Sequence, residues 1–180
     1  MSNYLENFGT TTVFSAKPLL TLYSKLTKMK KHFEDLAIIR QHFINLLENY
    51  DLKHLTHIPM GFKNHIFWNC AHALVTQQLL TYHLSGNELL IDNDWVLRFK
   101  KGTFGEQNVS AEEVGKLIEL LDSTVSQTRM DYFAERLSNY QSYQTSFGVR
   151  LDTIEDAIRF NNLHESLHIG YVMAMRKNFD

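Results

Sequence analysis

The stretch Asn161–Val172, NNLHESLHIGYV, contains His164-Glu165-Ser166-Leu167-His168. Read as letters this is H-E-x-x-H, a zinc-protease signature in which two histidines four residues apart bind the ion and the glutamate acts as general base. The spacing predicts that both imidazoles project from one face of a helix, about one turn apart. The same face carries Ile154, Ala157, Ile158, Asn161, Tyr171, Val172 and Met175. Asn161 and the two histidines thus interrupt a mostly apolar stripe. Buried polar groups require partners, and a metal ion is one solution. Core histidines held by hydrogen bonds are the other.

The protease reading fails on ligand supply. A zincin needs a third protein ligand downstream. At the position of the metzincin third histidine stands Ala174, and at the position of its glycine stands Tyr171. The twelve residues after His168 contain no His or Glu, and their one carboxylate side chain is Asp180. A di-iron site fails as well. Glu165-x-x-His168 matches half of the pattern, but facing helices would have to supply further glutamates. The segment between Asn64 and Gly86 has no acidic residue.

A third ligand must then come from upstream. The segment NHIFWNCAHALVTQQLL (64–80) places His72 amid apolar residues, with Trp68, Val75 and Leu79 on its face. His65 lies two turns earlier on that face and is a reserve ligand. The remaining histidines, His32, His42, His54, His57 and His83, fall in polar or turn contexts and are expected at the surface.

The 180 residues suffice for one domain with a core. A hydrophobic content of 44%, 21% charged residues and a net charge of -2 are ordinary for a globular protein. They argue against duplex nucleic acid as a partner, which needs clustered Lys and Arg. The single cysteine, Cys70, excludes an internal disulfide and a Cys-rich zinc site. It sits in an apolar context that suggests an inert buried thiol, and it fits a cytoplasmic protein. No apolar run is long enough to span a membrane, and no signal peptide is recognisable.

Sparse Gly and only two prolines, Pro18 and Pro59, favour long helices. Residues 1–28 show no sustained period and are expected to be a loosely attached N-terminal extension. From Met29 an amphipathic helix is predicted, with Phe33, Leu36, Ala37, Phe43, Ile44 and Leu47 as its apolar stripe. A second helix is expected over about 64–84, after the Pro59–Gly61 turn. A long loop follows over 85–109, with room for a short helical turn. Ser110-x-x-Glu113 is a capping box that should open a third helix running to about Asn139. The segment 140–151 reads as a connector, and a fourth helix is expected from about Thr153 to Lys177. Residues 29–180 therefore read as an all-α domain, a four-helix bundle with a long loop between its second and third helices.

The segment 64–80, the loop RFKKGTFG (98–105) and TIEDAIRFNNLHESLHIGYVMAMRK (153–177) resemble the DinB/YfiT-like superfamily of four-helix-bundle metal proteins. The likeness covers about Met29 to Lys177. It implies a metal site of His72, His164 and His168, with Gly170 after the pair. On that reading Glu165 is incidental and faces solvent or supports the site from outside; the alternative is a base for metal-bound water. The family includes thiol-dependent S-transferases, a thiol-dependent isomerase and proteins described as metal-dependent hydrolases. The resemblance implies zinc or nickel as the ion, a low-molecular-weight thiol as possible co-substrate, and a homodimer. The expected function is a metal-dependent enzyme acting on a small molecule, with the 85–109 loop covering the site. The alternatives are a non-catalytic bundle stapled by metal and an interaction module without metal. Asn161 and Tyr171 are the expected supports of the ligands.

Overall fold

The computed structural model describes residues 17–105 and 108–179. Its elements run α1 (Lys17–Asn49), α2 (Leu52–Thr56), α3 (Ile66–Thr81), α4 (Asn93–Phe99), α5 (Ala111–Phe133), β1 (Tyr143–Gln144), β2 (Arg150–Leu151) and α6 (Ile154–Met175). The chain is thus predominantly helical, and the two short strands form one antiparallel hairpin. The long helices pack in a closed arrangement. α3 lies against α5 and α6, and α1 lies against the same two.

α1 starts earlier than its periodicity suggests. The helix begins at Lys17; among the side chains described before Phe33, Ser24, Leu26, Thr27 and Lys28 are exposed and Met29 is buried. Residues 1–16 lie outside the described residues, so the expectation of a loose extension bears on them only as an expectation. Within the stripe, Ala37 is exposed and Arg40 is buried. The buried positions follow Phe33, Leu36, Arg40, Phe43, Leu47, the regular three-and-four spacing of one helical face.

Three helix ends follow from side-chain chemistry. α5 opens with the Ser110/Glu113 capping box, and α6 opens with a second box formed by Thr153 and Asp156. α5 stops at Phe133, short of Asn139. Glu135 adopts a left-handed conformation (φ 57°), its N–H bonds to the Tyr132 carbonyl, and the Arg136 N–H bonds to the Asp131 carbonyl. This is the helix-ending motif that usually carries glycine. With Glu in that place the stop has no sequence signal.

The 85–109 segment is more ordered than a loop. Its helix α4 buries Trp95 and Phe99 against Phe67 of α3. α3 is consequently enclosed almost all round. Every residue in it is buried except Thr76 and Leu79.

A buried ion pair joins α1 to α6. Arg40 Nε donates to Glu165 Oε2 at 2.6 Å and its Nη2 to Oε1 at 2.8 Å. Asn161 Nδ2 also donates to Oε1, at 2.7 Å. Both charged side chains are almost completely excluded from solvent. Glu165 therefore does not face solvent, which removes one of the two roles expected for it from the sequence. Removing one partner would strand the other charge in the interior. Arg40→Ala or Glu165→Ala is expected to destabilise the fold by about 3–5 kcal/mol. The double change Arg40→Met with Glu165→Leu should cost less than either single change, as read by urea denaturation.

Candidate metal centre

Helix α3 delivers one histidine and α6 delivers two. His72, His164 and His168 each offer a ring nitrogen, and these atoms lie within 4.8 Å of one another. The ring of His72 is 5.3 Å from that of His164 and 4.9 Å from that of His168. His164 Nε2 and His168 Nε2 are 3.3 Å apart.

Hydrogen bonds fix which nitrogens face inward. His72 Nδ1 lies 2.7 Å from the Phe99 carbonyl oxygen. A carbonyl only accepts, so Nδ1 carries the proton and Nε2 keeps its lone pair, with the Thr76 hydroxyl 3.3 Å from it. Trp68 stacks flat on the same ring, with centroids 4.6 Å apart and an interplanar angle of 9°. On α6, His168 Nδ1 lies 2.9 Å from Asn69 Oδ1. The Asn69 amide is oriented by its own NH2, which donates to the His65 carbonyl at 2.9 Å. Its oxygen must accept from His168, and the Nε2 of that ring is also left unprotonated. His164 Nδ1 is buried without a hydrogen-bond partner.

Burial holds the three rings neutral. Desolvation lowers the pKa of His72, partly opposed by the Phe99 carbonyl. Desolvation, with the neighbouring His72, lowers His164 to about 4. His168 is lowered to about 3 by desolvation and by the two neighbouring histidines. Neutral imidazole is the ligating form.

The donor set fits a divalent ion. Two nitrogens at 2.0–2.1 Å from a tetrahedral centre are about 3.3–3.4 Å apart, which is the His164–His168 separation. The Nε2 of half-buried His168 faces His164 Nε2, and the far nitrogen of His164 is buried without a partner. Three imidazoles suit zinc or nickel and leave coordination positions for another ligand.

That open side is a cavity of ≈480 Å³, walled in part by His72, His164 and His168 themselves. Thr76 and Leu79, the two incompletely buried positions of α3, also line it. The other walls come from Phe160 and Leu167 of α6 and from Tyr143, Thr145, Ser146 and Phe147 of the hairpin. The hairpin tip is tightly closed. Thr145 Oγ1 both donates to the Val149 carbonyl at 2.9 Å and accepts from the Val149 N–H at 3.0 Å, and Gly148 takes a positive φ of 78°.

Several expectations need correction. Among its described residues the 85–109 segment contributes Lys101 alone to the cavity wall, because Trp95 and Phe99 draw it into the core. The cover comes instead from the hairpin, read from sequence as a connector. Its signal was Phe147 beside Gly148, an exposed aromatic at a turn. Tyr171 is exposed and packs edge-on against Phe62, and Asn161 bonds Glu165 rather than a ligand. The groups that orient His72 and His168 are the Phe99 carbonyl and Asn69. A lone Asn one turn before His72, inside an apolar run, was the available clue to Asn69.

His65 is not brought to the cluster. It is the N-cap of α3, its Nδ1 accepting from the Trp68 N–H at 3.0 Å. Gly105 walls it in, since a Cβ there would approach His65 Cδ2 to 2.9 Å. Burial lowers its pKa to about 4. Glu165, held by Arg40, is likewise outside the histidine group.

Fold and site together define a helical protein with a three-histidine cluster that could hold a metal ion. The sequence model of the DinB superfamily matches residues 35–172, and the chain belongs to that superfamily. No curated protein matches the chain. No helix among the described residues is long and apolar enough to cross a membrane.

Two measurements follow from this geometry. Ala replacements of His72, His164 and His168 should each abolish stoichiometric metal by elemental analysis. His65→Ala should keep the metal and lose roughly 0.5–2 kcal/mol of stability with its cap. The second concerns pH. The folded-state pKa values of His65, His164 and His168 are depressed, so below about pH 6.5 the unfolded chain binds more protons than the folded one. Their contribution is fully present above that value and is lost as pH falls toward about 4 for His65 and His164 and about 3 for His168. The melting temperature of chelator-treated protein should drop over this window, and His65→Asn should flatten the drop.

Proposed function

We propose that the protein is a metal-dependent enzyme in which His72, His164 and His168 hold one zinc or nickel ion and a small-molecule substrate occupies the adjoining cavity. The observation that carries this reading is the placement of the cluster in the cavity wall. An ion serving only as a staple between α3 and α6 would favour a sealed tetrahedral site. Here the inward nitrogens border open volume.

Thiol-dependent S-transfer is the chemistry the wall suits best. A divalent ion bound to three neutral imidazoles supplies a Lewis acid that lowers the pKa of a bound thiol or water. The residues of the chain do the rest. Phe99 and Asn69 hold two of the rings in their ligating tautomer. Leu79, Leu80, Phe160 and Leu167 keep the site largely apolar, which strengthens electrostatic interactions inside it. The transfer forms a sulfur–carbon bond and breaks the bond to the leaving group, which departs with its electron pair. The thiol proton goes to solvent, and no oxidant or reductant is needed. Hydrolysis is the runner-up. It calls for a general base at the attacking water; among the described residues the wall contains no Asp or Glu, and its one histidine outside the cluster is His83. Glu165 is committed to Arg40.

A reducing, cytoplasmic setting accords with a free thiol co-substrate and with buried Cys70. The homodimer implied by the resemblance belongs to the same proposal. The exposed apolar residues Leu163, Leu167 and Tyr171 of α6 are the surface it would cover.

The test is elemental analysis of protein purified without added metal, followed by a thiol-transfer screen with 1-chloro-2,4-dinitrobenzene. Turnover should vanish on chelation and return with zinc or nickel, and each of the three His→Ala variants should lose metal and turnover together. Stoichiometric metal that accepts no exogenous thiol would favour the staple.

A further inference from the structure

Among the described residues Lys101 is the one cavity-lining residue with a fixed charge at neutral pH, and the described wall around it contains no carboxylate. Among the described residues it takes part in no ion pair. Its position is built rather than incidental. Lys100 to Thr103 form a turn in which the Lys100 carbonyl accepts from both the N–H and the hydroxyl of Thr103, at 3.2 and 2.8 Å. Gly102 supplies the positive φ of 93° that such a turn requires. Both ends of the turn are fastened to the α3 face that carries the metal-site histidine. Phe99, just before it, accepts from His72. Thr103, at its end, accepts from the indole N–H of Trp68 at 3.1 Å, and that indole is stacked on His72. One bonded unit thus orients His72 and sets Lys101 in the wall of the same cavity.

Much of the remaining wall is apolar, with Leu79, Leu80, Leu84 and Phe160 in it. A side-chain cation set in a largely apolar wall, apart from the metal site, selects a ligand that is apolar in body and anionic at one end. We infer that Lys101 is a specificity-determining residue and that the cavity takes an amphipathic small molecule bearing an anionic group. This deepens the proposed function and rests on its reading of the cavity as the substrate site.

The test uses two fluorescent probes with one apolar body, 8-anilinonaphthalene-1-sulfonate and its uncharged parent N-phenyl-1-naphthylamine. Both are titrated at low ionic strength into full-length wild type, Lys101→Gln and Lys101→Arg, with melting temperature and metal content recorded in parallel. Wild type should prefer the sulfonate. Lys101→Gln should weaken sulfonate binding by at least about threefold, the effect of one partly exposed charge-assisted contact. The uncharged probe should be unaffected, and Lys101→Arg should retain the preference. A smaller change for the sulfonate, an equal loss for both probes, or no binding of either overturns the inference. None of these outcomes touches the metal reading, which stands or falls on the metal content of the wild type and the histidine variants.

Discussion

The buried pair of Arg40 and Glu165 constrains everything around it. Two charges with almost no solvent contact are tolerable only when closely paired; here Arg40 Nε and Nη2 both bond the Glu165 carboxylate, while Nη1 is buried without a partner. That geometry holds α6 at a single roll and register against α1, with Glu165 and Asn161 turned to Arg40. His164, adjacent in sequence, and His168, one turn on, then face α3. A rotation of α6 that slackened the ion pair would also carry the imidazoles away from His72. The stability of the bundle and the assembly of the cluster are coupled through this one contact.

On the other side of the cluster the constraint is enclosure. α3 is surrounded by α2, α4, α5 and α6, so its polar residues have few places to find partners. Asn69 bonds backward to the His65 carbonyl and forward to His168. His72 reaches across to Phe99 at the end of α4. Burying Phe99 in the core is therefore also what brings its carbonyl to His72. The apolar side chain and the polar backbone atom of one residue serve packing and orientation together.

Most of the helical architecture was legible because it rests on local signals. Apolar spacing marks α3 and α6, and capping boxes mark the starts of α5 and α6. His72, His164 and His168 stood out as polar residues on apolar faces, and the structure brings the three together. What escaped the sequence depends on tertiary partners. Arg40 occupies a stripe position that favours an apolar residue, and its burial makes sense only with Glu165, 125 positions away. The end of α5 is made by Glu135 in a conformation normally left to glycine. His65 and His72 share a helical face on paper, but the helix starts at Ile66 and His65 becomes its cap. The hairpin that walls the cavity has two residues in each strand, too few to show a period.

The H-E-x-x-H letters can now be understood without a protease. Consecutive residues on a helix are about 100° apart around its axis, so a residue directly after a ligand histidine points to a different neighbour unless the surroundings leave that direction open. In a protease the glutamate needs water and substrate beside it. In this bundle the corresponding direction is filled by α1, and a carboxylate there must be neutralised by the neighbour rather than used as a base. Arg40 meets that need. The motif is shared in sequence, but packing assigns its middle residue to the core, and any nucleophile at the histidine cluster has to be activated without it.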